Sequence, residues 1–176
     1  YMRGKKIVDV GPGAGVIGTR FLRERAQVTF ADVAEPQSDR ARLPLKEHRR
    51  RDVSSAAIVR TRRGSWTPIT TRCWRSARCI TRRQTLRSPE FEALASRLKI
   101  GGRFIALTYP KERWIREGSK PFSEFGKGTD GERTPWAEWY DLDKLLGQLR
   151  PYQFRPLMAF NFHNDDFNRF DLQRVA

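Results

Sequence analysis

The sequence has few of the features that mark secreted or membrane proteins. Its two cysteines, Cys73 and Cys79, are six residues apart, which fits neither a disulfide framework nor a Cys-x-x-Cys metal motif. It contains no run of about 18 apolar residues, and its first residues lead straight into a strand pattern instead of a signal-peptide core. We therefore expect a cytoplasmic protein with no membrane partner and no metal site.

Acidic residues are scarce in one part of the chain. Between Arg40 and Arg87 there are 14 arginines and Lys46 against only Glu47 and Asp52. This segment carries +13 of the formal net charge of +15, so all other residues together carry +2. A uniformly basic chain would indicate a nucleic-acid partner. A basic insert in a nearly neutral chain does not, and we expect none.

The rest of the chain shows the alternation of strands and helices that is typical of an α/β domain. Residues 5–10 are a predicted strand, 15–25 a helix and 26–32 a second strand, which together make a βαβ unit. A length of 176 residues suits one domain over residues 1–176. Residues 37–88 stand apart within it, because arginines interrupt every candidate apolar face and leave no convincing core strand.

A second α/β unit follows the basic segment. Residues 89–98 are a predicted helix, Gly101-Gly102 a turn and 103–108 a buried strand. Residues 110–135 are rich in Gly, Lys, Ser and Pro and are predicted to form a long loop of the kind that covers binding sites.

The carboxyl-terminal part of the chain is regular again. Residues 136–149 are a predicted helix, and strands are predicted over 157–162 and 170–175.

A glycine-rich loop between the first strand and the first helix is the main candidate site. Residues 8–15 read Val-Asp-Val-Gly-Pro-Gly-Ala-Gly. Glycines at such a turn let the backbone approach a ligand, and the helix amides point at it. Residues 13–18 also match the dinucleotide pattern Gly-x-Gly-x-x-Gly, with Asp32 available to hold a ribose. The loop alone therefore leaves more than one nucleotide cofactor open.

This loop resembles the first motif of the class I S-adenosylmethionine (SAM)-dependent methyltransferases, a strand with an acidic residue followed by Gly-x-Gly-x-Gly. Asp9, Gly11, Gly13 and Gly15 fill that motif. The resemblance implies that the glycines pass under the amino-acid part of SAM. It also implies that Asp32, the acid that ends the second strand, binds the ribose hydroxyls.

A later turn extends the resemblance. Residues 98–104, Leu-Lys-Ile-Gly-Gly-Arg-Phe, are similar to the family's Leu-Lys-Pro-Gly-Gly turn, with Ile100 where proline is common. Asp9 favours SAM over NAD, since dinucleotide-binding strands are normally apolar two residues before the first glycine. The resemblance implies an α/β fold with a Rossmann-like, doubly wound, mostly parallel sheet, in which the third and fourth strands are doubtful. Because the family has substrate-covering residues before its first strand, we expect this sequence to be truncated there.

The basic segment has the length that the family needs between Asp32 and Gly101 but the wrong composition. We tested a reading frame that joins the third base of each codon to the first two bases of the next. Trp66-Thr67 must then encode Asp, and Cys73-Trp74 must encode Leu. Residues 66–84 can be read as Asp-Ala-Asp-Tyr-Asp-Ala-Val-Leu-Ala-Leu-Gly-Ser-Met-His-His-Ala-Ala-Pro, which looks like the family's fourth-strand motif. Our hypothesis is a frameshift spanning about residues 37–88; the alternative is a divergent basic loop.

The resemblance implies SAM-dependent methyl transfer to a small-molecule or sugar acceptor, with no catalytic base that the sequence identifies. Five aromatic residues after the fifth strand either line an acceptor pocket or, as we favour, belong to the core. They are Tyr109, Trp114, Trp136, Trp139 and Tyr140. His163 beside Asp165 and Asp166 is predicted to lie in a solvated turn instead of a metal site. The alternatives are an NAD-dependent oxidoreductase and a non-catalytic basic nucleic-acid-binding module with Trp66 and Trp74.

Overall fold

A computed structural model describes residues 2–12, 15–31, 53–55, 70–75, 89–131 and 137–176. The first half of the chain contains β1 (Lys6–Val10), α1 (Val16–Arg23), β2 (Gln27–Ala31), β3 (Val53–Ser55) and β4 (Thr70–Arg75). The second half contains α2 (Pro89–Arg97), β5 (Leu98–Thr108), α3 (Lys111–Arg116), α4 (Phe122–Asp130), α5 (Leu142–Gln148), β6 (Phe154–Phe162) and β7 (Phe167–Arg174).

The seven strands form one sheet in the order β3-β2-β1-β4-β5-β7-β6. The pairs from β3 to β5 are parallel. β7 is antiparallel to both of its neighbours, β5 and β6. The Rossmann-like α/β class is therefore confirmed, and the antiparallel insertion of β7 is a feature that the sequence analysis did not predict.

Side chains on the two faces of β1 belong to two different clusters, because successive residues of a strand point in opposite directions. Ile7 packs with Leu22 of α1 and Phe30 of β2 on one face. Val10 packs on the other face in the larger cluster, which includes Phe104 of β5. Phe91 of α2 and Leu145 of α5 bring two helices into that cluster. Its other large members are Leu98 and Leu149, at the ends of these two helices, Tyr140, and Phe170 and Leu172 of β7. The sheet is thus covered on both sides, as a doubly wound fold requires.

The structure places both of the doubtful strands, the third and the fourth, in the basic segment. β3 pairs with β2, and β4 lies between β1 and β5. Ladder hydrogen bonds join backbone groups and do not depend on side-chain polarity. The open edges of β1 and β5 can therefore accept a strand that the apolar periodicity did not mark. β-Branched and aromatic residues such as Thr70, Thr71 and Trp74 also favour extended backbone.

The predicted loop over residues 110–135 contains two helices, so that prediction was wrong. Pro110 and Pro121, taken as loop residues, occupy the N-cap positions of α3 and α4. A proline near the start of a helix removes an amide that has no helical partner there. Phe125 of α4 is only 1% exposed and packs on Tyr109 with ring centroids 5.7 Å apart. This contact fastens α4 to the end of β5.

The helix expected over residues 136–149 begins later, at Leu142, because Asp141 caps it. The Asp141 carboxylate accepts a hydrogen bond from the Lys144 amide at 2.8 Å. The two preceding residues are extended, with Trp139 bridged to Tyr109 and the Tyr140 amide donating to the Tyr109 carbonyl at 2.9 Å. The strand predictions near the end of the chain are confirmed by β6 and β7.

The Gly101-Gly102 turn lies inside β5, which begins at Leu98 instead of the expected residue 103. The β4–β5 register shifts between Thr70 and Arg72, so residues 99–102 form a bulge. Gly101 has a φ of +79°, and a Cβ at Gly102 would lie 2.7 Å from the Lys99 carbonyl oxygen. Both positions therefore require glycine.

Residues 163–166 join β6 to β7 in a tight turn, as predicted for His163 and its acidic neighbours. His163, Asn164 and Asp165 all have positive φ angles, of 53°, 53° and 59°. Arg116 of α3 pairs with the Asp166 carboxylate. Among the described residues, no group of three His, Cys, Asp or Glu side chains is placed to hold a metal ion.

Candidate active site

The carboxyl end of β1 lies where the connections of the sheet change direction. β2 flanks β1 on one side and β4 on the other. The chain passes from β1 outward to β2 and β3, and later returns to β4 and β5. In open α/β sheets, the crevice at such a point is the usual ligand site. The glycine loop therefore starts at the position where this fold leaves room for a ligand.

The described glycines of the loop have the backbone conformation that favours glycine. Gly11 has a φ of +65°, and Gly15, the N-cap of α1, has a φ of +76°. The Gly15 amide donates to the Pro12 carbonyl at 2.9 Å, which closes the turn. Thr19 of α1 fastens the loop from the helix, because its hydroxyl donates to the Gly15 carbonyl at 2.7 Å. Gly13 and Asp32, the other predicted site residues, lie outside the described residues.

Asp9 is a buried carboxyl at the floor of this loop. Its side chain is 1% exposed, and Oδ2 has no hydrogen-bond partner among the described groups. Burial raises the pKa of Asp9 from 3.8 to about 7, although a hydrogen bond from the Gly18 backbone opposes part of that rise. A carboxyl with such a pKa and a free oxygen is typical of functional sites, because burial without a partner disfavours the ionised form.

Gly18 of α1 also belongs to this site. The sequence indicated it only as the last glycine of the dinucleotide pattern, and not as a packing position. A Cβ there would lie 2.1 Å from Cε1 of the Phe30 ring and 3.0 Å from Asp9 Oδ2. The absence of a side chain lets α1 approach β1 and β2 closely. Phe30 lies opposite Asp9 in the β1–β2 register, so the Phe30 ring supplies part of the apolar surroundings that raise the Asp9 pKa.

We predict that Gly18→Ala lowers the free energy of unfolding by about 2–3 kcal/mol, because the added methyl group overlaps the Phe30 ring. The matched control is Gly147→Ala in α5, where an added Cβ would meet nothing within 4 Å. That change should stabilise the protein by about 0.5–1 kcal/mol through helix propensity. Urea unfolding of both variants measures the difference. Two changes of the same sign would contradict the close approach of α1.

The aromatic residues after β5 divide into core and cavity. Tyr109 and Tyr140 are buried, as the core interpretation predicted. Trp114 and Trp139, in contrast, line a cavity of about 130 Å³ beyond the carboxyl end of β5. Because β1, β4 and β5 are parallel neighbours, the carboxyl ends of β1 and β5 lie at the same edge of the sheet, about two strand spacings or 10 Å apart. Trp136 lies outside the described residues.

No helix in the described part of the chain is long and apolar enough to cross a membrane. A comparison with protein-family models finds no match, and no curated protein matches the sequence. Solved structures, in contrast, do match this chain.

Three similar structures illustrate what the fold is like. Geranyl diphosphate C-methyltransferase from Streptomyces coelicolor A3(2) has a TM-score of 0.71 and 16% identity, covering 98% of this chain and 72% of that one. The [4+2]-cyclase SpnF has a TM-score of 0.67 and 14% identity, with coverages of 99% and 76%. Magnesium protoporphyrin IX methyltransferase from Synechocystis PCC 6803 has a TM-score of 0.66 and 14% identity, with coverages of 100% and 76%. The chain therefore has the Rossmann-like fold of the class I SAM-dependent methyltransferases.

Proposed function

We propose that this chain is a SAM-dependent methyltransferase that acts on a small-molecule acceptor. The observation that carries the proposal is the buried, unpartnered Asp9 carboxyl beneath a loop of positive-φ glycines at the switch point of the sheet. A carboxyl group beside a backbone that a ligand can approach closely suits a ligand that carries both a cation and hydrogen-bonding groups. SAM has a sulfonium and an ammonium group and is such a ligand.

The described residues suit SAM as the cofactor. Gly11 and Gly15 leave the backbone accessible, and Asp9 offers an oxygen that no described group occupies. Asp9, Gly11, Gly13 and Gly15 would hold the amino-acid part of SAM, and Asp32 would bind its ribose. When bound, SAM supplies an electrophilic methyl group. The task of the protein is then to hold the acceptor in line with it, because displacement at a methyl carbon depends on position.

The strand order supports this proposal over an NAD-dependent oxidoreductase. The usual dinucleotide-binding order is 3-2-1-4-5-6. In this chain β7 runs antiparallel between β5 and β6.

The acceptor class is inferred from the similar structures. Two of them are named for small molecules, geranyl diphosphate and magnesium protoporphyrin IX, and both were determined with S-adenosylhomocysteine. The aromatic cavity at the same edge of this sheet is consistent with a small organic acceptor.

The proposal is tested by titrating SAM into the protein in a calorimeter, with Gly11→Val as the loss variant. A valine residue at a φ of +65° raises the free energy of the folded backbone by about 1–2 kcal/mol. It also places a branched side chain where the cofactor must approach the backbone. We expect SAM to bind the unmodified protein and to bind the variant about tenfold more weakly or worse.

Gly4→Val is the matched control. Gly4 has a φ of +69° and open space around its Cβ position, but it precedes the amino end of β1, opposite the glycine loop. The strain is the same and the site is not touched, so SAM affinity should stay within about twofold. No SAM binding by folded protein, or equal weakening by both changes, would reject the glycine loop as the cofactor site. Tight NAD binding in its place would favour the oxidoreductase.

SAM binding without methyl transfer is a separate outcome, because one similar structure is named a cyclase. Incubation with methyl-labelled SAM and fractionated small-molecule extracts distinguishes the two. Label transferred to an organic product supports methyl transfer, and a rearranged product without label contradicts it.

A further inference from the structure

The cavity beyond β5 has aromatic walls, one of which is held in place by a hydrogen bond. Trp114 of α3 and Trp139 have ring centroids 5.5 Å apart and planes tilted by 30°. The Trp114 indole N–H donates to the Lys120 carbonyl at 2.7 Å, which fixes that ring. Phe122 and Phe125 of α4 complete the apolar lining. A ligand entering this cavity would meet ring faces and edges that are already positioned.

Trp139 is held from the other direction by cations. The Lys144 ammonium lies 3.7 Å from the centroid of the Trp139 ring, and the Lys111 ammonium lies 5.4 Å from it. Lys144 also pairs with Glu138 Oε1 at 2.7 Å. Cation–π attraction from these two lysines stabilises the position of the Trp139 ring at the cavity.

Glu138 is the acidic group of the cavity. Its side chain is 11% exposed. The two described contacts, from the Trp139 amide and from Lys144, both go to Oε1. No described residue donates to Oε2, so this oxygen is left to accept a hydrogen bond from a ligand. An acceptor beside aromatic walls matches a flat ring that carries a hydroxyl or amino group.

The size of the cavity sets the size of that ring. At about 130 Å³, its volume is close to that of the engineered cavity of about 150 Å³ that binds benzene, although this cavity is partly open and also has polar lining residues. One six-membered ring with a single small substituent therefore fills it. A larger acceptor could place only one such ring here.

We propose that this cavity binds a single aromatic ring bearing a hydroxyl or amino donor, with the ring against Trp114 and Trp139 and the donor on Glu138. That this ring belongs to the methyl acceptor rests on the function proposed above. The ring site itself does not, because its contacts involve neither the glycine loop nor SAM.

Phenol, anisole and cyclohexanol are the probes, followed through the five tryptophan indole N–H signals in ¹⁵N spectra of the whole chain. We expect phenol to bind with a dissociation constant of about 1 mM and to shift the Trp114 and Trp139 signals. Anisole, which lacks the donor, and cyclohexanol, which lacks the flat ring, should each bind about tenfold more weakly.

Two variants and a control locate the site. Trp114→Leu should weaken phenol about tenfold. Glu138→Gln should remove most of the preference for phenol over anisole. Ile115→Ala is the matched control, because Ile115 follows Trp114 on α3 but is 55% exposed and does not line the cavity.

Equal affinities for the three probes, or shifts confined to other tryptophans, would overturn the ring site whatever the SAM titration gives. Phenol binding by a protein that does not bind SAM would support the ring site and reject the proposed function. The three probe affinities are measured on the unmodified protein. A variant that fails to fold therefore does not prevent the test.

Discussion

Replacing Asp9 with Asn should stabilise the protein at pH 8 and leave its stability almost unchanged at pH 4. The pKa of the buried carboxyl is raised from 3.8 to about 7. Folding therefore favours the protonated form. Its contribution is fully present below pH 3.8 and is lost as the pH rises through about 7. A difference of about three pKa units corresponds to about 4 kcal/mol of unfolding free energy, a large share of the typical 5–15 kcal/mol.

Urea unfolding of both proteins between pH 4 and 8 measures this effect. The expected result is a difference between Asp9→Asn and the unmodified protein that grows with pH and levels off near pH 8. Glu92→Gln is the control, because Glu92 is exposed on α2 and its removal should give a flat difference. A flat profile for Asp9→Asn as well would mean that the carboxyl is ionised or solvated in the folded protein.

Restoring the alternate reading frame over residues 37–88 should raise the free energy of unfolding by about 5 kcal/mol or more. β4 occupies Thr70–Arg75, and the shifted frame can be read as Asp-Ala-Val-Leu-Ala-Leu at those same positions, with the Leu from Cys73-Trp74 fixed by the genetic code. A strand between β1 and β5 in a doubly wound sheet is normally buried on both faces and apolar. Burying one Val and two Leu side chains contributes about 1.5–3 kcal/mol each.

The coding DNA is the first measurement, since a stop codon in the alternate frame would end the hypothesis at once. The second is unfolding of a chain that carries the alternate-frame residues. A chain with the same residues scrambled separates the effect of sequence order from that of composition. Equal stability of the restored and scrambled chains would favour the divergent basic loop.

The sequence predicted the parts of this fold that local chemistry determines. Gly11 and Gly15 could be identified because a turn with positive φ selects glycine within a few residues. The position of Asp9 in β1 could also be predicted from neighbouring residues, so it was a local property. Its burial was not, because the side chain is enclosed by Gly18 of a helix and Phe30 of another strand. Three segments must meet before the Asp9 pKa changes.

The predictions that differ from the structure do so for different physical reasons. The third and fourth strands, β3 and β4, stayed doubtful because apolar periodicity cannot detect a strand that is specified by the open edges of its neighbours. Helices α3 and α4 were missed because Pro110 and Pro121 were taken as loop markers, although both begin helices. Helix α5 starts late because Asp141 caps it. The helical spacing of the apolar residues continues before Asp141, so it predicted an earlier start.

The place of β7 in the sheet has a consequence for synthesis on the ribosome. Its partner β5 is completed at Thr108, but β7 does not begin until Phe167. At about 5–20 residues per second, the 58 intervening residues take about 3–12 s to make. Throughout that interval one edge of β5, including the apolar residues Phe104 and Ile105, has no permanent strand beside it. Chaperones that recognise extended apolar segments have those seconds in which to act on the nascent chain.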